Sequence, residues 1–115
     1  MKRKTNILFI CSANKDRSRT AEDLFATLHS DLNFDSAGTN EKICRQEDTQ
    51  VVSEDLIEWA DSIFVMENKH KKALGGFTKN KYLNKTTVLG IQDHYKYNDS
   101  ALIELLKEKM PSHLK

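Results

Sequence analysis

A four-residue apolar run, Ile7-Leu8-Phe9-Ile10, passes directly into Cys11-Ser12-Ala13-Asn14-Lys15-Asp16-Arg17-Ser18, and a helical pattern begins near Ser18. This junction constrains the chain more than any other stretch. An apolar run that short and that continuous reads as a strand covered on both faces, as strands of parallel sheets are. The connecting loop carries a thiol at one end and a guanidinium at the other, followed at once by a hydroxyl. A loop of that length can curl its backbone N–H groups around one tetrahedral oxyanion, and the next helix aims its N-terminal dipole at the same spot. The junction implies a phosphate pocket with a nucleophile in its floor.

The rest of the chain repeats the alternation. Ala21, Leu24, Phe25 and Leu28 make one helical stripe. Asn33 to Ala37 is expected to be a second strand, ended by Gly38, and Val52, Leu56 and Trp59 predict a helix over 49–60. Ile63-Phe64-Val65-Met66 is a third strand. Lys69 to Leu74 reads as a short helix stopped by Gly75-Gly76, residues 77–86 as a polar connection, and Thr87-Val88-Leu89 as a fourth strand. A closing helix spans about Ser100 to Met110, ending at Pro111. Strands alternating with helices imply right-handed crossovers and a parallel sheet whose strands all end on one edge. Ligands bind at that edge. Cys11, Thr39, Glu67 and Asp93 each follow a strand and so open onto one crevice.

Composition sets limits on function. With 115 residues and net charge +1, the chain is expected to form one domain, residues 1–115, lacking the basic face of a nucleic-acid binder. No apolar run is long enough to span a membrane. The basic start, Met1-Lys2-Arg3-Lys4, lacks the apolar stretch of a signal peptide. Two distant cysteines do not make a disulfide framework, so the expected setting is cytoplasmic and the expected state a monomer. The lysines at 69, 71, 72, 79, 81 and 85 read as a solvated face, or as steering for an anionic substrate.

Thiolate is the reactive form of cysteine, and loop N–H groups, a helix N-terminus and Arg17 all stabilise it. Arg17 can grip two phosphoryl oxygens at once. Ser18 can donate to the sulfur, and Asn14 suits the loop because it tolerates left-handed φ and bonds neighbouring backbone. Asp93 is the candidate general acid, or merely the cap of a turn; Glu67 is a rival acid, or the cap of the helix behind it. Cys44 reads as a free thiol in a loop. His29, His70, His94 and His113 show no metal spacing and read as surface residues, with His94 placed to tune Asp93. Trp59 reads as core packing.

Four stretches together resemble the low-molecular-weight protein tyrosine phosphatases, in particular their short bacterial members. They are Phe9-Ile10-Cys11 through Arg17-Ser18 with Thr20-Ala21-Glu22; Ser36-Ala37-Gly38-Thr39; Trp59-Ala60-Asp61 with Ile63-Phe64-Val65-Met66; and Gln92-Asp93-His94-Tyr95. The resemblance implies an α/β, flavodoxin-like three-layer sandwich with a four-stranded parallel sheet. It implies Cys11 as nucleophile, Arg17 as phosphate ligand and Asp93 as general acid, with Ser12, Ala13, Asn14, Lys15, Asp16 and Ser18 in the phosphate-binding loop. It implies no metal and no organic cofactor, and a phosphorylated protein or small phosphate ester as partner.

The chain departs from that family's pattern at Ala13, where Gly is usual, and at Asp16, where a second Cys is usual. Arg19 replaces a Pro, and His94 follows the acid where Pro is usual. Asp16 adds negative charge near a dianion site and is therefore expected to point outward. The stretch Thr39–Asp48 has no aromatic residue, which leaves Tyr95 and Tyr97 as candidates to stack on an aryl substrate. Phosphotyrosine, phosphoarginine and a small ester are the candidate substrates. The competing reading is a phosphate-recognition module that has lost turnover. An arsenate reductase lacks its downstream cysteines here, and a phosphocarrier would not keep Arg17 and Asp93.

Overall fold

A computed structural model describes residues 5–78 and 83–110. Four parallel strands form the sheet: β1 (Asn6–Cys11), β2 (Asn33–Gly38), β3 (Ser62–Val65) and β4 (Thr86–Val88), in the order β2-β1-β3-β4. Register pairs Ile10 with Ala37 on one side of β1 and with Val65 on the other. The helices are α1 (Arg17–Leu28), α2 (Glu41–Glu47), α3 (Glu54–Trp59), α4 (Asn68–Thr78) and α5 (Ser100–Lys109).

The strand side chains alternate between two cores, which makes three layers. Ile7, Phe9, Cys11, Phe64 and Met66 pack with Ala21 and Phe25 of α1 and with Leu102 and Leu106 of α5. Leu8, Ile10, Ile63 and Val65 pack on the opposite face with Ile57 of α3 and Leu74 of α4. The chain leaves β1 toward β2 on one side and returns to β3 on the other. That reversal lies at the C-terminal end of β1, where open α/β sheets bind ligands. Cys11 sits there.

Three local expectations are corrected. Residues 49–53 are not helical. Gly38 N–H donates to Gln50 O (2.9 Å), Val52 N–H donates to Gly38 O (2.9 Å), and Val51 bridges to Gly38, so this segment extends the sheet edge. The helix starts only after Ser53, whose Oγ accepts from Leu56 N–H at 3.2 Å. Gly75-Gly76 does not stop α4, which continues to Thr78. Each helical Gly costs about 1 kcal/mol relative to Ala, and burial of Leu74 against the sheet outweighs it. Of the polar connection, residues 77 and 78 belong to α4 and Leu83–Lys85 form a 3-10 turn ahead of β4; the remainder, like Lys79, Lys81 and His113, lies outside the described residues. Lys85 is not solvated either: its Nζ donates to Ile57 O (2.7 Å) and to Ala60 O, closing the end of α3.

Candidate functional site

The loop between β1 and α1 is held from behind. Asn14 takes a left-handed φ of 54° and is 1% exposed. Its Nδ2 donates to Ser18 Oγ (2.9 Å) and Ser36 Oγ (2.8 Å), and its Oδ1 accepts Gln50 N–H (3.1 Å). Ser36 Oγ in turn donates to Glu22 (2.5 Å); burial pushes the Glu22 carboxyl up, against the pull of that hydrogen bond. The carbonyl of Ser12 accepts Asn40 N–H (3.0 Å), and that of Ala13 accepts Thr49 Oγ1 (2.5 Å). Gly38 permits this closeness, since a Cβ there would lie 2.5 Å from Ser12 O and from Cys44 Sγ. Among the described residues nothing accepts a hydrogen bond from the backbone N–H groups of Ala13, Asn14, Lys15 or Asp16. These donors are available to an anion.

Cys11, Ser12, Ala13, Asp16, Arg17, Ile43 and Asp93 line one cavity of about 240 Å³. Cys11 Sγ lies 3.1 Å from Ser18 Oγ. Because Ser18 already accepts from Asn14, its own proton is free to go to the sulfur. Arg17 is 2% exposed and, among the described residues, donates through Nη1 to Glu67 Oε2 (2.6 Å) and Ile91 O (2.8 Å). Its Nε lies 3.7 Å from Asp93 Oδ1, and the Asp93 side chain is 66% exposed. Burial alone would raise the Glu67 carboxyl; the hydrogen bond and charge of Arg17, with help from Lys69 and His70, hold it below the usual range. Glu67 therefore spends its carboxylate on Arg17 and not on capping α4.

Several side chains depart from their expected surroundings. Asp16 is half-buried and turns toward the strand-four loop, where Oδ1 accepts Tyr97 N–H (2.9 Å). Lys15 pairs with Glu47 (2.8 Å), which raises its ammonium pKa. Cys44 is free, as expected, but buried within α2 beside Ser12 O. Tyr95 packs against the α1/α5 core; Tyr97 is exposed and bonds Asp23. Neither ring lines the cavity, where Ile43 is the apolar rim. His94 bonds Gln92 Oε1 (2.7 Å) and not Asp93.

His70 is the clearest miss. It is 1% exposed, with Nε2 2.9 Å from Ser12 Oγ and Nδ1 3.0 Å from Glu67 N. Burial, then the Arg17 charge, lowers its pKa to about 4 from the ordinary 6.5. The unfolded chain takes up this proton as pH falls through 6.5, while the folded chain resists until about 4. Stability is therefore expected to fall across that window, by on the order of 3 kcal/mol. Urea midpoints at pH 7, 5.5 and 4.5 check this; a His70→Gln variant is expected to show a flatter profile.

Residues 6–55 match the family model described as low molecular weight phosphotyrosine protein phosphatase. That similarity covers the segment from β1 to the start of α3. Comparison with curated protein sequences gives no match. Among solved structures, Wzb of Vibrio vulnificus in complex with benzylphosphonate is 24% identical, with 92% of this chain and 94% of that one covered at a TM-score of 0.76. SP-PTP, a low molecular weight protein tyrosine phosphatase from Streptococcus pyogenes, is 16% identical over 96% and 93%, with a TM-score of 0.77. The YwlE arginine phosphatase from Geobacillus stearothermophilus is 18% identical over 90% and 84%, with a TM-score of 0.70.

Two departures from the family pattern are explained by the geometry. Asn14, and not Ala13, supplies the loop's positive φ, so the methyl group at 13 costs no backbone strain. Asp16 links the loop between β1 and α1 to the segment that carries Asp93, through Tyr97 N–H. The sequence pattern also passes over Thr49 and Gln50, which brace the loop. They do so only because the extended segment 49–53 passes behind it, and a helical reading of 49–60 hides that.

Proposed function

We propose that the chain is a cysteine-dependent phosphomonoesterase acting on phosphotyrosine in proteins. One observation carries the reading: a single cavity brings Asp93, distant in sequence, to Cys11 and Arg17 of one loop. The Cys11 thiolate attacks phosphorus and the ester P–O bond breaks. Asp93, protonated, gives its proton to the departing oxygen; Arg17 Nε and Nη2 hold two equatorial oxygens. Asp93, now a carboxylate, takes a proton from water, which attacks phosphorus and breaks the P–S bond. Ser18 donates to the departing sulfur. The likeness to phosphatases of the same fold supports this reading.

The expected partner is a phosphorylated protein or a small phosphate ester, with the chain acting as a cytoplasmic monomer and needing no metal or organic cofactor. Among the described residues no helix is long and apolar enough to cross a membrane. With Ile43 as the apolar rim and no ring on the cavity, phosphoarginine is the second substrate to assay; one structure of like fold is named an arginine phosphatase.

The test is hydrolysis of p-nitrophenyl phosphate across pH 4.5–8, with vanadate as inhibitor. Turnover blocked by vanadate supports the enzyme; its absence in folded, reduced protein moves the reading to a phosphate-recognition module. Asp93→Asn is expected to slow esters with poor leaving groups by about 10²–10⁴-fold and good ones far less. Equal losses for both would assign Asp93 a structural role.

A further inference from the structure

The proposed reaction makes no use of His70, although it touches the phosphate-binding loop. Its two ring nitrogens have different partners: Nδ1 faces the backbone N–H of Glu67 at 3.0 Å, and Nε2 faces Ser12 Oγ at 2.9 Å. A backbone amide can only donate, so Nδ1 is the acceptor and carries no proton. In the neutral ring the proton then sits on Nε2 and can only be given to Ser12. The Ser12 hydroxyl accepts on that side, which frees its own proton for a partner elsewhere. Ser12 lines the cavity that holds Cys11 and Arg17.

We propose that His70 is a positioning residue that fixes the Ser12 hydroxyl as a hydrogen-bond donor to the tetrahedral oxyanion bound between Cys11 and Arg17. The site thus adds a side-chain donor to its backbone N–H groups and guanidinium, and the hydroxyl's direction is set from α4. Rotamer freedom would otherwise let Ser12 accept from the anion's surroundings or donate away from it. Burial, with the positive charges of Arg17 and Lys69, keeps the ring neutral down to about pH 4 against the pull of Glu67 and Asp93, so the tautomer holds over the range in which an ester would be cleaved. This rests on the phosphate-site reading but not on turnover.

The experiment is calorimetric binding of inorganic phosphate at pH 7 to the intact chain and its variants. Ser12→Ala is expected to bind about tenfold more weakly, the worth of one hydrogen bond to a charged group. His70→Asn keeps an acceptor for Glu67 N–H but no donor at the Nε2 position, and is expected to lose the same factor. The double variant is expected to be no weaker than either, and His70→Gln, which returns an N–H near Nε2, to recover most of the loss. Undiminished binding by Ser12→Ala, additive losses, or His70→Gln as weak as His70→Asn would overturn the proposal. So would nitrogen-15 spectra of the unaltered protein showing the proton on Nδ1, a readout that needs no variant to fold. Absence of hydrolysis with these binding differences intact removes the phosphatase reading alone; hydrolysis with no binding differences removes this one alone.

Discussion

Cys11→Ser is expected to hydrolyse p-nitrophenyl phosphate no faster than the buffer background while still binding inorganic phosphate. The substitution changes one atom at the end of β1, at a position 3% exposed and packed in the α1/α5 core, so the fold has little reason to move. An alkoxide is far harder to form than a thiolate, and the hydrogen-bond partner of Cys11 among the described residues, Ser18 at 3.1 Å, is itself a hydroxyl and no base. The loop N–H groups and Arg17 are untouched, so the anion site persists. Steady-state turnover and phosphate calorimetry on the same preparation check both halves. Measurable turnover by the variant would rule out a cysteinyl-phosphate; loss of phosphate binding would show that the sulfur also shapes the pocket.

Arg17→Lys is expected to lower kcat/KM by about 10²–10³-fold, the effect of removing one preorganised donor to developing charge. The charge is retained, so the loss measures geometry. Arg17, which lines the cavity, is built into the structure through Nη1, which donates to Glu67 and to the Ile91 carbonyl, and this anchoring fixes the plane of the guanidinium. An ammonium cannot occupy both anchors and still present two parallel donors to one phosphoryl group. It also leaves the Ile91 carbonyl or the Glu67 carboxylate short of a partner. Near-unaltered activity would refute the two-pronged grip. A fall in stability with full specific activity would confine Arg17 to holding β1 and β3 loops together.

The pocket could be read in the sequence because it is local. A strand, a loop of fixed length and a helix follow one another without interruption, so Cys11, Asn14, Arg17 and Ser18 are brought together by the chain itself. The parallel alternation was likewise legible from two apolar runs and two weaker strand segments set between helical patterns, and it sent Glu67 and Asp93 to the edge that holds Cys11. What escaped were contacts made by residues far apart. Val52, Leu56 and Trp59 fit a helical period, yet Gln50 and Val52 satisfy their backbone against Gly38, because the open edge of β2 offers hydrogen bonds that local propensity cannot weigh. Gly75-Gly76 is a strong stop signal in isolation, but Leu74 is anchored in the core and the helix runs on.

Side-chain roles divide in the same way. Residue type and spacing along the chain sufficed to place a thiol, a guanidinium and a carboxylate at one sheet edge, since strand direction follows from the alternation of elements. Whether Glu67 capped a helix or oriented Arg17, whether Asp16 faced outward or tied down the Asp93 segment, and whether His70 lay on the surface or against Ser12 depended on which elements pack together. Each is a short polar contact between residues dozens of positions apart, such as Arg17 to Glu67 at 2.6 Å and Asp16 to Tyr97 at 2.9 Å. Such contacts form only after the apolar faces of α1, α4 and α5 have docked on the sheet, because burial makes an unpartnered polar group costly and so selects its partner.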